Sequence, residues 1–440
     1  MSRPWQVARR IAIAANRWPA LGRLNRIPYY LAVRSVTALC RRHPEIASLH
    51  VTGSFARNDW TPGLSDIDFS VLIRTGLDPH AEFEALQGLW REYRQRVRWF
   101  PMLGELEILP EDQAETFSRH GFTGHEMRHW RRLCGSPLPF TLAAVPPDQL
   151  RVERLRHALR FYRYHFPHQS RRGTTETWRR LHRKIHRALD APETPLSRDA
   201  SAAGFMAQSL AAITSYRTGV PSTGARAPSA RLLQKDLNQL ERRLLPPEMA
   251  GVATGVVGVA AGPWDLDHPY VLLTDGLPLA RVQDIMTAAA LAFDEPIVLT
   301  LRAFTDFVHL VDPFLYFNLL RSRVVWGNTD PLPQVEPPNR DLVDAALRRS
   351  ASDTYIYPFT ESLEPLTPEA FRDLYLGWIL RMLRYLEDGV IDLDFPTLES
   401  YFADTERPCS SLSRSGEGRF ALCRRAAIDI ERLVSAAQSI

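Results

Sequence analysis

The chain has 440 residues, 45% of them hydrophobic and 24% charged, with 54 basic against 50 acidic side chains and a formal net charge of +4. At roughly 100–200 residues per domain, that length predicts two to four compact units. The balance excludes a disordered chain, a collagen-like repeat and a small disulfide scaffold, and so small a basic excess does not by itself mark a nucleic-acid binder.

All the basic residues are arginine except Lys184 and Lys235. A GC-rich genome produces such a bias, and so does selection for bidentate phosphate contacts. Cys40, Cys134, Cys409 and Cys423 form no C-x-x-C pair, which argues against a zinc knuckle and for a reducing compartment. No apolar run nears the ~18–20 residues of a membrane span. The N-terminus is basic, carries no acid before Glu45, and its longest apolar run, Ile11 to Ala15, is short for a secretory signal. The expectation is a cytoplasmic protein with no membrane partner.

Residues 28–43 read as a helix, with apolar positions at Leu31, Val33, Val36 and Leu39 and a stop at Pro44. Leu49 to Thr52 is a short strand candidate that runs into Gly53-Ser54 and a loop containing Pro62 and Gly63. Asp66 to Ile73 is a second strand, 79–97 an amphipathic helix, and Met102 to Leu109 a third strand ended by Pro110. This order suits a small mixed sheet backed by helices, an α+β core. Residues 148–188 are helical and strongly basic, and stretches at 191–201 and 220–229 read as linkers. Further on, strands are expected at 252–260, 269–274 and 297–303, and helices at 279–293, 313–323, 338–350, 367–387 and 418–438.

The informative segment is Gly53-Ser54-Phe55-Ala56-Arg57 followed by Asp66-Ile67-Asp68-Phe69. Acids at i and i+2 of a strand share one face, and two such close carboxylates repel unless a cation lies between them. A hard divalent cation suits carboxylate oxygens together with substrate phosphates. Gly53 lets backbone N–H groups approach a phosphate, and Ser54 adds a hydroxyl. A third acid completes a two-metal site and helps to deprotonate an attacking hydroxyl. Glu105 and Glu107 on the third strand offer it, and acids in so apolar a strand are costly without a cation or partner.

This pattern resembles the DNA-polymerase-beta-like nucleotidyltransferase superfamily: Gly-Ser, a loop, an acid–hydrophobic–acid strand and a later single acid. The segment Glu105-Leu106-Glu107-Ile108-Leu109-Pro110 is similar to the family's last acidic strand, in a register that makes Glu105 the catalytic acid and Glu107 the runner-up. Arg131-Arg132-Leu133-Cys134-Gly135 resembles the hydrophobic–Gly element that follows the core. The resemblance covers about residues 30–140, with Glu105 for the commoner Asp and Asn58 for a common Gly. It implies Mg²⁺ (or Mn²⁺) held by Asp66, Asp68 and Glu105, and a nucleoside triphosphate lying on Gly53 and Ser54, with Arg57 either a triphosphate contact or a solvated loop residue. ATP is the commonest donor in the superfamily. The acceptor hydroxyl would belong to a small molecule or to a nucleotide or oligonucleotide.

Residues 70–77 and 270–277 are alike, and each is followed by a helix, a strand, a second helix and a Gly element, Gly135 or Gly327. The pattern reads as a diverged internal duplication. Its second copy is expected to be inactive: Ala253-Thr254 stand near the Gly-Ser position, Leu266 and His268 replace the two aspartates, and the strand at Ile297 to Leu301 lacks an acid. The expected domains are 1–45 (helical), 46–140 (catalytic core), 141–245 (basic helical), 246–335 (degenerate core) and 336–440 (helical).

Three weaker signals compete. His125-Glu126-Met127-Arg128-His129 fits the H-E-x-x-H pattern of zinc peptidases, yet lies where the core needs its helix before the Gly element. Arginines crowd the basic helices 148–188 with Phe161, Tyr162, Tyr164 and Phe166 among them, which suits either a nucleic-acid or triphosphate surface or a solvated face over an aromatic core. Asp392-Leu393-Asp394-Phe395 imitates the acid pair without a Gly-Ser upstream. A non-catalytic nucleotide-binding or antitoxin-like module is the alternative function, and a zinc peptidase the remote one.

Overall fold

The computed structural model of the chain describes residues 18–338 apart from 64, 78, 112–113, 116–126, 143–145, 173, 194–195, 197–199, 220–239, 253–254, 261–268, 313–314, 317–318, 320–321, 331, 333–334 and 336–337. The helices expected beyond 338 and the Asp392–Phe395 segment therefore lie outside the described residues. Two compact units divide between Ala143 and Ala144. No described helix is long and apolar enough to cross a membrane.

The first unit begins with helices α1 (Pro19–Leu24) and α2 (Ile27–Cys40). The 3–4 spacing of Ala32, Val33, Val36, Leu39 and Cys40 gives α2 one buried face. Strand β1 (Ile46–Val51) leads into a single helical turn, α3 (Gly53–Ala56), and after a loop comes β2 (Ile67–Ile73). Helix α4 (Pro79–Trp99), β3 (Leu103–Pro110) and β4 (Arg131–Gly135) complete it. The sheet order is β3-β2-β1-β4. Here β2 is parallel to β3, and β1 is antiparallel to both β2 and β4. Ile67, Phe69, Val71 and Ile73 alternate onto the face covered by Val36, Leu39, Leu86, Leu89 and Tyr93, as period-2 patterning requires. On the other face Ala47, Leu72 and Leu109 pack with Ala114 and Met127. Gly135, at φ +82°, lies so close to Ala47 O and Ser48 that no Cβ would fit.

The second unit opens with α5 (Pro147–Arg172), α6 (Thr175–Leu189) and α7 (Ala202–Arg217). The basic stretch is two helices, and the Thr174 hydroxyl caps the second by accepting from Thr177 N–H. Strands β5 (Glu241–Arg243), β6 (Val256–Ala260) and β7 (Tyr270–Leu273) follow, then α8 (Leu279–Ala292), β8 (Ile297–Thr300), α9 (Leu301–Leu310) and β9 (Val324–Gly327). The sheet order is β5-β9-β6-β7-β8. β7 is parallel to β8, and β6 is antiparallel to β7 and β9, so four of its strands repeat the order and pairing senses of the first sheet.

Two expectations are corrected here. The strand expected to run to 303 stops at Thr300, whose hydroxyl accepts from Ala303 N–H at 3.0 Å and starts α9. Ala253-Thr254 precede β6 in the chain, whereas Gly53-Ser54 follow β1. The residues in the corresponding sequence position are Ala261-Gly262-Pro263, outside the described residues.

Candidate active site

Backbone pairing sets the frame. Thr52 N–H donates to Asp68 O at 2.9 Å and Ile67 N–H to Met102 O at 2.8 Å, which joins the end of β1 and the approach to β3 to β2. Gly53, at φ +59°, lies with its Cα against Asp68; a Cβ there would stand 2.6 Å from Asp68 Oδ2. Only glycine takes this backbone at this separation without strain. Ser54 is buried, and Arg57 ends the α3 turn with its backbone N–H on Gly53 O.

The loop between Ser54 and Asp66 is held from α2. Tyr29 Oη accepts from Gly63 N–H (2.7 Å) and donates to Ser65 O (3.1 Å). Trp60 packs on Tyr29 at 4.7 Å and on Phe55 at 4.8 Å, with the Arg26 guanidinium 5.4 Å from its ring. Arg131 of β4 donates to Phe55 O at 2.7 Å. The sequence reading did not find these anchors, which join residues far apart in the chain.

Strand β3 meets β2 through an irregularity. Ile67 pairs with Leu103 and Phe69 with Leu106, so Asp68 alone faces two residues, Gly104 and Glu105. This is a β-bulge, a feature that re-aims side chains beside functional sites. Glu105 N–H donates to Asp68 Oδ1 at 3.2 Å, and Gly104 lies too close to the same oxygen to carry a Cβ. Sequence reasoning missed Gly104. A glycine inside an apolar strand, directly before an acid, was the available signal. Asp66 and Glu105 are exposed and Asp68 is half-buried. Tyr93 registers their proximity: burial raises its phenol well above the usual range, and Asp68, Cys40, Asp66 and Glu105 push the same way. Glu107 lies further along, opposite Ser70, whose hydroxyl donates to its Oε2 at 2.9 Å.

His50 pairs with Ser70 on one side and Arg132 on the other. Its Nε2 is 3.0 Å from Ser48 Oγ, and its ring lies 5.5 Å from that of Trp130. Burial, and then the Arg132 charge, lower its pKa to about 4, so it is neutral at pH 7.

Three carboxylates suit a hard cation by donor chemistry, and the missing side chains of Gly53 and Gly104 let Asp68 lie between them. Among the described residues, no three His, Cys, Asp or Glu side chains close around a common point. His125 and Glu126 of the H-E-x-x-H segment lie outside the described residues. Met127 is helical, and Arg128 and His129 form a turn just before β4.

In the basic helices, Tyr162 and Phe166 are fully buried. Several arginines have partners in their own unit: Arg154 with Asp190 (3.0 Å), Arg179 with Glu176 (2.8 Å), and Arg163 with Tyr270 Oη (2.7 Å).

Residues 34–97 match the family model of the nucleotidyltransferase domain. The match takes in the second half of α2, β1, Gly53-Ser54, Asp66, β2 with Asp68, and most of α4. It stops before β3, so Glu105 and Glu107 lie outside it. No curated protein and no solved structure matches the chain significantly. The first unit thus carries a nucleotidyltransferase domain, in keeping with the polymerase-beta-like superfamily that its motif resembles.

Proposed function

We propose that the nucleotidyltransferase domain moves a nucleoside monophosphate from a nucleoside triphosphate to an acceptor hydroxyl and releases pyrophosphate, with Mg²⁺ or Mn²⁺ as cofactor. The observation that carries this reading is the meeting of Gly53, Asp68 and the Gly104–Glu105 peptide at one point of the sheet. Asp66, Asp68 and Glu105 are the residues that would hold the ion. When bound, it supplies positive charge to the triphosphate and polarises the phosphate under attack.

The chain's own work is positional. Gly53 leaves the backbone open to phosphate oxygens, with Ser54 and Arg57 as further triphosphate contacts. Asp68 enters fixed by the Glu105 amide, which limits the reorganisation needed on binding. Glu105, the exposed acid of β3, is our choice to accept the proton of the acceptor hydroxyl. Glu107 is the runner-up, and its hydrogen bond from Ser70 weighs against it. ATP is the proposed donor. The acceptor is a small molecule or a nucleotide or oligonucleotide. A nucleic acid lying along α5 and α6 is the weaker version, since Arg154, Arg163 and Arg179 already have partners. A cytoplasmic setting fits the scattered cysteines.

The second unit fits the role of a degenerate copy. Leu109, Leu72, Ser48 and Gly135 pair in one row of the first sheet, and Leu299, Leu272, Val257 and Gly327 pair in the same order in the second.

The test is incubation with each labelled nucleoside triphosphate and Mg²⁺, comparing wild type with Asp66→Ala and Asp68→Ala, and mass spectrometry of the products. Equal pyrophosphate release by all three proteins, or none across a broad acceptor panel, sinks the reading.

A further inference from the structure

We infer that Tyr93 is a positioning residue for Asp68, acting through the Gly104–Glu105 peptide. The inference rests on Asp68 serving the transfer reaction. Tyr93 reaches from α4 into the core, 2% exposed, and its phenol donates to Gly104 O at 2.9 Å. The N–H of that same peptide, belonging to Glu105, donates to Asp68 Oδ1 at 3.2 Å. The C=O and N–H of a trans peptide point in opposite directions. One flat unit therefore links a buried phenol on one side to the carboxylate on the other, and each hydrogen bond polarises the next.

The bulge explains why such a pin is needed. Asp68 faces two residues of β3, so the regular ladder does not hold this peptide. Glycine at 104 is the residue most free to rotate. A phenylalanine would fill the space beside Phe69 and Trp90 as well as tyrosine does. The buried hydroxyl is the part that packing does not account for.

Tyr93→Phe removes one oxygen atom and keeps the ring. Outer partners of a ligating group commonly contribute about 10–100-fold to activity or metal affinity. The expected result is a kcat lower by that factor, a Mn²⁺ midpoint about 10-fold higher, and an unchanged nucleotide KM. In the metal-free protein, the Glu105 amide hydrogen should exchange about 10-fold faster than in wild type. Trp90→Phe, a packing change beside Tyr93, should leave all four readings as in wild type. Equal effects of the two substitutions, or unaltered Glu105 exchange in Tyr93→Phe, would overturn the assignment. If Tyr93→Phe does not fold, wild type alone decides: its Glu105 amide must exchange slowly although the residue is exposed, and fast exchange overturns the assignment. Failure of the transfer reading looks different. Asp68→Asn with full activity would remove the catalytic premise, while Glu105 exchange would still report the link to Tyr93.

Discussion

Across the first sheet, strand pairing sets Glu107, Ser70, His50 and Arg132 in one row. Across the second, the same row holds Ile297, Tyr270, Val259 and Val325. The order and direction of the strands are alike, and Gly135 and Gly327 end their strands at φ +82° and +81° against the carbonyls of Ala47 and Val256. What differs is the chemistry of one face. In the first sheet it is polar and leads to Asp68 and Asp66. In the second it is apolar except for Tyr270, which Arg163 covers from α5 at 5.2 Å. The backbone scheme depends on glycine and β-branched positions that either sheet supplies. On the proposed function, the acids are needed only where a cation and a triphosphate would be bound.

The largest contrast should be catalytic. Asp68→Asn is expected to lower nucleotidyl transfer by about 10³-fold, the scale of losing a group that stabilises transition-state charge, with little change in thermal stability. Tyr270→Phe, at the Ser70 position of the second sheet, should keep full transfer activity. Loss of activity in both would mean that the second sheet also takes part in the chemistry.

The second unit uses its buried charge differently. Arg217 Nε lies 2.7 Å from Asp306 Oδ1, and both side chains are nearly inaccessible. Burial raises the Asp306 pKa, and Arg217 opposes that rise. Asp306→Ala would leave the guanidinium buried without its carboxylate, a loss of about 3–5 kcal/mol, visible as a lower urea midpoint. Asp66→Ala, at an exposed position, should move the midpoint hardly at all. A midpoint unmoved by Asp306→Ala would show the pair to be dispensable.

The glycine ends test the shared scaffold. Gly135→Ala and Gly327→Ala each place a Cβ against a neighbouring strand's carbonyl at a left-handed φ. Each should lose more than about 2 kcal/mol of stability. Gly76→Ala, at φ +80° with nothing near its Cβ, isolates the backbone part and should lose about 1 kcal/mol. Equal losses at Gly76 and Gly135 would remove the close approach as a cause.

Much of the first unit could be read from residues near one another in the chain. Gly53-Ser54 and Asp66-Ile67-Asp68 flank one loop, and the alternation of β2 shows which side the acids take. The links across the fold were not readable. Tyr29 with Ser65 and Tyr93 with Gly104 arise where a helix lies on the sheet, and no local period marks them. Leu103 and Leu106, three apart and both buried, broke the alternation and hinted at the bulge. The apolar run from Ile297 to Leu301 hid a helix start, because such a run fits a strand or a buried helix equally. Only the Thr300 cap separates them.

The last contrast is one of acid response and concerns His50, whose place in the second sheet is taken by Val259. His50 is buried, with Ser48, Ser70, Arg132 and Trp130 about it. Its folded pKa of about 4 lies below the ordinary value near 6.5, so the fold favours the neutral ring. Above pH ~6.5 both folded and unfolded states leave it neutral, and its full contribution is present. Between pH 6.5 and 4 the unfolded chain takes a proton that the folded chain excludes, and stability falls by about 1.4 kcal/mol per pH unit. Below pH ~4 the loss is complete, at no more than about 3.5 kcal/mol. Replacing the ring by the second sheet's residue, His50→Val, should flatten the urea midpoint of the protein between pH 6.5 and 4 relative to wild type, since no proton can then be taken up at this position. Parallel pH curves for the two proteins would show that His50 is charged in the fold, and that its row differs from its counterpart in polarity without differing in response to acid.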